Sequence, residues 1–64
     1  MPIIAVLLFE GRTADQKRKL VETVTDAVVK SLAPSVTRDA VKIAILEIPK
    51  TNYAVSGVLS SDKT

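Results

Sequence analysis

Two apolar segments, Ile3-Ile4-Ala5-Val6-Leu7-Leu8-Phe9 and Val41-Lys42-Ile43-Ala44-Ile45-Leu46-Glu47-Ile48, flank a single stretch of helical periodicity, and that order leaves few folds open. The first segment is β-branched or bulky throughout with no polar alternation, the pattern of a strand buried on both faces. Between the two, Thr13 and Gln16 have the spacing of a capping box, which predicts a helix from about Ala14. Leu20, Val21, Val24, Ala27, Val28 and Leu32 then share one stripe of a helix about five turns long. Asp15, Lys19, Glu22, Asp26 and Lys30 fall mostly on its other faces as a solvated surface, with Asp15–Lys19 and Asp26–Lys30 spaced for i,i+4 pairs. Pro34 ends the helix and residues 35–40 return the chain to the second strand, where Val41, Ile43 and Ile45 share a face. Pro49-Lys50-Thr51-Asn52 reads as a turn, residues 53–59 as an extended arm or small hairpin, and residues 60–64 as a fraying end. Strand, helix, strand with one crossover is a β-α-β unit of the α/β class, so the two strands are expected to be parallel and the crossover right-handed.

Such a unit cannot be self-sufficient. A two-stranded sheet covered by one helix leaves its second face bare, and here both strand faces are apolar. At 64 residues the chain is one small domain, residues 1–64, of a size that usually needs a staple. With no Cys there is no disulfide, and with neither Cys nor His a metal could draw only on carboxylate and carbonyl oxygens. Apolar residues make up 47% of the chain, more than a monomer of this length easily hides. Self-association is the remaining staple.

Several partner classes are disfavoured. A net charge of +2, scattered basic residues and only Phe9 and Tyr53 as aromatics do not make a nucleic-acid surface. No apolar run approaches the ~20 residues of a membrane span, and the first apolar stretch lacks the basic flank and cleavage site of a signal peptide. A cytoplasmic protein acting on a small anionic molecule is the expectation.

Pro2 supplies a possible reactive group. Removal of Met1 is the normal fate of a chain whose second residue is so small, and it would leave a secondary amine at the head of the first strand. An α-amino group titrates near ~7.7–8.0, and an apolar or cationic pocket lowers it further. Such an amine can serve as a general base at neutral pH in a chain without histidine.

Met1-Pro2 opening a strand, Glu10-Gly11-Arg12 before the helix, Val41-Lys42-Ile43 with Glu47 and Pro49, then Asn52-Tyr53 and Gly57, together resemble the 4-oxalocrotonate tautomerase family over nearly the whole chain. The resemblance implies a β-α-β tautomerase fold whose protomers pair into a four-stranded sheet and assemble as a hexamer, a trimer of dimers. It implies tautomerisation of dienols and 2-oxo acids such as 2-hydroxymuconate, in the catabolism of aromatic compounds, with neither cofactor nor metal. It further implies that Pro2 shuttles the proton, that Arg12 binds a substrate carboxylate, and that Tyr53 forms a wall of the pocket. Lys42 stands where the family usually has a second arginine, and Ala54 and Ser56 stand where it often has glycine.

Lysine neutralises developing oxyanion charge but lacks the planar fork that grips a carboxylate at two points, so Arg38 is the candidate to supply that fork. Arg12 precedes the helix start, where the macrodipole disfavours a cation but favours an anion bound beside it. Pro2 and Arg12 lie at opposite ends of one strand, roughly 25–30 Å apart at ~3.3 Å per residue, so a site using both is formed between subunits. Glu10 and Glu47 read as structural, which leaves no clear acid for the water-activating chemistry of wider-superfamily relatives. The competing expectation is a non-catalytic or partner-dependent subunit of a tautomerase-like hetero-hexamer, suggested by Lys42.

Overall fold

A computed structural model of the chain describes residues 2–63, so the expected removal of Met1 lies outside the described residues. Strand β1 spans Ile3–Phe9, helix α1 spans Ala14–Leu32, and strand β2 spans Lys42–Ile48. The strands are parallel, with Ile3 opposite Lys42 and Phe9 opposite Ile48, so the chain forms the expected β-α-β unit. The second strand starts one residue later than the sequence predicts, because Val41 closes a 3₁₀ turn at Arg38–Ala40.

The helix begins as its capping box dictates. Thr13 Oγ1 accepts from the Gln16 N–H at 3.1 Å and Gln16 Oε1 accepts from the Thr13 N–H at 2.9 Å. It ends before Pro34, with Ala33 in an extended conformation at the cap. Its covered side comprises Lys17, Leu20, Val21, Val24, Thr25, Val28 and Val29, whereas Ala27 and Leu32 stay exposed. The stripe is thus rotated from the expected one toward Thr25 and Val29. Apolar periodicity defines a wide arc, and the sheet occupies only part of it.

Alternation settles which strand residues meet the helix. Ile4, Val6 and Leu8 of β1, with Ile43, Ile45 and Glu47 of β2, are on the covered side; Ile3, Ala5, Leu7 and Phe9, with Lys42, Ala44, Leu46 and Ile48, are on the other. That second face is open: Ile3 is 73% and Leu7 67% exposed, and no described residue is fully buried.

Beyond β2, a 3₁₀ turn at Lys50–Asn52 leads to a hairpin of β3, Ala54–Val55, and β4, Val58–Leu59. Ser56 and Gly57 form its two-residue loop with φ of 54° and 78°, the positive pair that matches the twist of a tight hairpin. Of the two forms expected for this segment, the structure adopts the hairpin. Ser60–Asp62, expected to fray, instead form a 3₁₀ turn, and the Ser60 N–H donates to the Tyr53 carbonyl at 2.8 Å. The two i,i+4 pairs expected on α1 are replaced as well: Arg18 pairs with Asp15, and Arg38 from the return loop pairs with Asp26.

The unit is extended. Its Cα radius of gyration is 15.2 Å, against about 11 Å for a compact chain of this length. Its accessible surface is 5004 Å², against about 4,000 Å² for a folded monomer of this mass. Hydrophobic association of the open sheet face is the direct physical remedy.

Leu7→Asp tests this. In a lone chain the substitution is at an exposed position and would change stability by no more than about 0.5 kcal/mol. If the face is covered by another subunit, sedimentation velocity will find the unsubstituted chain as a multimer and the variant as a smaller species. A monomeric unsubstituted chain would rule self-association out.

Candidate active site

The parallel register gathers one group of residues at the start of the two strands. The Lys42 N–H donates to the Pro2 carbonyl at 3.0 Å, so Pro2 and Lys42 lie side by side across the strand pair. Lys42 shares the open face with Ile3, and its Nζ donates to the Asp39 carbonyl at 2.9 Å. Asp39 is held in turn by the Thr37 hydroxyl, which donates to its carboxylate. That hydrogen bond, then the Asp39 backbone N–H and the Lys42 charge, keep the Asp39 carboxyl below its ordinary range. The Lys42 side chain is therefore anchored by a short loop whose own charge is fixed.

Arg38 is turned the other way. Its guanidinium pairs with Asp26 on α1, so within one protomer it closes the return loop onto the helix. Lys42 is the lysine whose backbone bonds to Pro2 at the strand start.

The other end of the sheet carries the remaining candidates. Arg12 lines an open groove of about 270 Å³ with Leu8, Gln16, Lys17 and Leu20. Two apolar walls, a side-chain amide and two cations make a place for the charged end of a small organic anion. Arg12 makes no ion pair or side-chain hydrogen bond among the described residues. Lys17 is satisfied instead by Glu47, Nζ to Oε1 at 2.7 Å.

Tyr53 stands at this end on the opposite, open face of the sheet. Its ring meets Phe9 edge-on, with centroids 5.3 Å apart and planes at 82°, a favourable geometry for two aromatic quadrupoles. With Leu7 and Ile48 the two rings border a hollow of about 350 Å³. The hollow opens where the sheet itself is uncovered.

Within one chain, then, Pro2 and Lys42 are brought together, Tyr53 joins Phe9 at the far end, and Arg12 opens on the helix side there. The length of β1 separates Pro2 from Arg12. Lys17 is the residue that sequence reasoning passed over. Its signal was available: it lies three residues before Leu20 on the apolar stripe, while Glu47 follows Ile43 and Ile45 on the helix-facing side of β2. Opposite charges at two such positions point to each other. Among the described residues no three acidic side chains are grouped to hold a metal ion, and no helix is long and apolar enough to cross a membrane.

Comparison with known proteins gives this geometry a family. Residues 2–63 match the family model described as "Tautomerase enzyme". A "Probable tautomerase" of Listeria monocytogenes serotype 4b is 43% identical over 63 residues, covering 97% of this chain and 98% of that one. The crystal structure of YwhB, a homologue of 4-oxalocrotonate tautomerase, superposes with a TM-score of 0.89 at 40% identity, covering 98% of this chain and 100% of that one. A heterohexamer 4-oxalocrotonate tautomerase from Chloroflexus aurantiacus superposes with a TM-score of 0.85 at 27% identity, covering 97% of each.

The anchoring loop can be tested by titration. A carboxyl lowered by folding contributes stability above its unfolded value, and that contribution disappears as pH falls through the lowered one. Thr37→Val removes the largest cause, so the Asp39 midpoint should rise toward the ordinary carboxylate value in a ¹³C-detected NMR titration. An unchanged midpoint would remove the Thr37 hydroxyl as the cause.

Proposed function

Because the chain belongs to the tautomerase family, we propose that it is a cofactor-independent enol–keto isomerase acting on dienols and 2-oxo acids such as 2-hydroxymuconate. The observation that supports this reading is the backbone hydrogen bond from the Lys42 N–H to the Pro2 carbonyl, which brings the start of the second strand alongside the head of the first. It puts a potential amine base and a lysine at the same end of the sheet, and in a chain without histidine or cysteine an α-amino group is the ordinary base nearest neutrality.

The chemistry follows from those two groups. With Met1 removed, the Pro2 nitrogen is a basic secondary amine. It takes the proton from the substrate 2-hydroxyl as the C–O bond becomes a carbonyl and the double bonds shift along the chain. The resulting prolinium returns that proton to the carbon at the far end of the shift. Atoms and charge balance with no co-reactant. The Lys42 ammonium offsets negative charge on the oxygen, and a positive charge near the proline amine would favour its unprotonated form. Arg12 binds the distal carboxylate, and Tyr53 contributes an apolar wall.

These groups cannot act together inside one protomer, because Arg12 lies a full strand length from Pro2. We place the site between subunits of a hexamer, with each substrate spanning the Pro2 end of one chain and the Arg12 groove of a neighbour. The open sheet face supports that assembly, and the related Chloroflexus protein is a heterohexamer. One observation favours a second reading. The Lys42 Nζ, which by the resemblance stands in for an arginine, is already bonded to the Asp39 carbonyl. A chain with so modest a grip at the Pro2 end could depend on a partner subunit to complete its site.

The test is the ketonisation rate of 2-hydroxymuconate by protein whose intact mass shows Met1 to be absent. Pro2→Ala should lower turnover by roughly 10²–10⁴-fold, the usual contribution of a general acid–base, while sedimentation shows the same assembly. An unchanged rate overturns the proline base. Arg12→Ala should raise KM for the dicarboxylate by on the order of 10-fold or more, the effect of losing a charge-assisted hydrogen bond. The monocarboxylate 2-hydroxypenta-2,4-dienoate should be affected much less. Equal losses on both substrates would remove Arg12 from the distal carboxylate.

A further inference from the structure

Lys17 and Glu47 occupy positions that the fold otherwise fills with apolar side chains. Lys17 lies on the covered side of α1, one turn before Leu20 and Val21. Glu47 continues the helix-facing row Ile43, Ile45 of β2 and is opposite Leu8, a wall of the Arg12 groove. Their side chains are 31% and 34% exposed, so both are partly withdrawn from water. At that depth a single ion pair gains little net stability, since desolvation offsets much of its Coulomb energy. Two apolar residues would close helix on sheet at least as well.

What the pair does alter is the charge of the groove. Arg12 and Lys17 both line it, which gives two positive charges, and Glu47 bonded to Lys17 cancels one. Arg12 is left as the uncompensated cation, with the aliphatic stem of Lys17 as part of the wall. We propose that the Lys17–Glu47 pair is a specificity-determining element that holds the Arg12 groove at one net positive charge and so sets how strongly it favours a doubly over a singly charged organic acid. This rests on the proposed function for the identity of the substrate, but the charge of the groove is a property of these residues alone.

Calorimetric titration with two unreactive six-carbon acids, the dicarboxylate adipate and the monocarboxylate hexanoate, separates the two. Glu47→Gln uncovers the Lys17 charge and should tighten adipate binding by about 5-fold, as expected for one added charge in a partly solvated groove. Lys17→Gln leaves Glu47 facing Arg12 and should weaken adipate binding by a similar factor. The double variant should return close to the unsubstituted protein, and hexanoate should move less in each case. Lys17→Arg keeps the charge and should keep the preference. A merely structural pair predicts the opposite pattern, with both single variants shifting binding in the same direction and the double variant failing to restore it; that result would overturn the proposal. So would an absence of saturable adipate binding to the unsubstituted assembly. Because the titration requires no turnover, a protein that fails to isomerise 2-hydroxymuconate but shows the opposed shifts would overturn the proposed function and leave the charge assignment standing.

Discussion

The register between β1 and β2 is the constraint from which the rest of the molecule follows. The hydrogen bond from the Lys42 N–H to the Pro2 carbonyl starts it, and the one from the Glu10 N–H to the Ile48 carbonyl, at 3.1 Å, ends it. Between them each residue of one strand has a fixed partner on the other. Side chains alternate with a period of two, so a slip of one residue would exchange the faces. Ile43 and Ile45 would leave the helix, Lys42 would turn beneath it, and Glu47 would lose Lys17. The same register that closes helix on sheet therefore sets Lys42 at the Pro2 end of the sheet and a carboxylate beside Lys17.

That closure is only half of a core. The helix covers one side of a two-stranded sheet, and Leu7, Leu46 and Ile3 remain exposed on the other. Neither a wider stripe on α1 nor the short β3–β4 hairpin reaches that face. A chain built this way spends its apolar surface outside the protomer. The consequence for chemistry is direct, because the hollow beside Phe9 and Tyr53 lies on the same open face. Whatever covers the sheet also covers this hollow, so on the proposed function assembly and activity are linked.

Much of this was legible in the residues because local rules and tertiary demands agree. The capping box at Thr13 and Gln16, the stop before Pro34 and the two apolar strands each carry their own signal, and the structure keeps all of them. The failures share a cause. Asp15 and Asp26 each had a lysine at i,i+4, yet Asp15 takes Arg18 one turn on, and Asp26 takes Arg38 from a loop twelve residues away. Exposed i,i+4 pairs are worth only ~0.3–0.5 kcal/mol, so any better-placed guanidinium displaces them. Ser60–Asp62 had no helical or strand pattern, and they are tied by the Ser60 N–H to the Tyr53 carbonyl and by the Lys63 N–H to the Ser60 carbonyl, of which a linear reading could not foresee the first. Among the candidate site residues, Pro2 stood out by type and position, and Arg12, Lys42 and Tyr53 through the family resemblance. Lys17 did not, because a charge on an amphipathic helix is ordinarily solvent-facing, and its meaning depends on what stands across the sheet.

With a lysine at position 42, where the family resemblance implies arginine, the proposed mechanism shifts where the substrate must be gripped. On the proposed mechanism two tasks at the Pro2 end need only a point charge: holding the amine unprotonated and offsetting charge on the oxygen. An ammonium does both. A third task, fixing the orientation of the adjacent carboxylate, is suited to a planar fork, and Lys42 has none. Arg38 does not supply it from within the protomer, since its guanidinium is committed to Asp26. Orientation must then come from the opposite end of the substrate, where Arg12 has its guanidinium uncompensated in a groove with apolar walls. A molecule with charge at both ends meets that requirement; one with a single charge is held by Lys42 but left free to rotate. The weaker grip at one end thus raises the demand placed on the other, and makes the net charge of the Arg12 groove the feature most able to distinguish one acid from another.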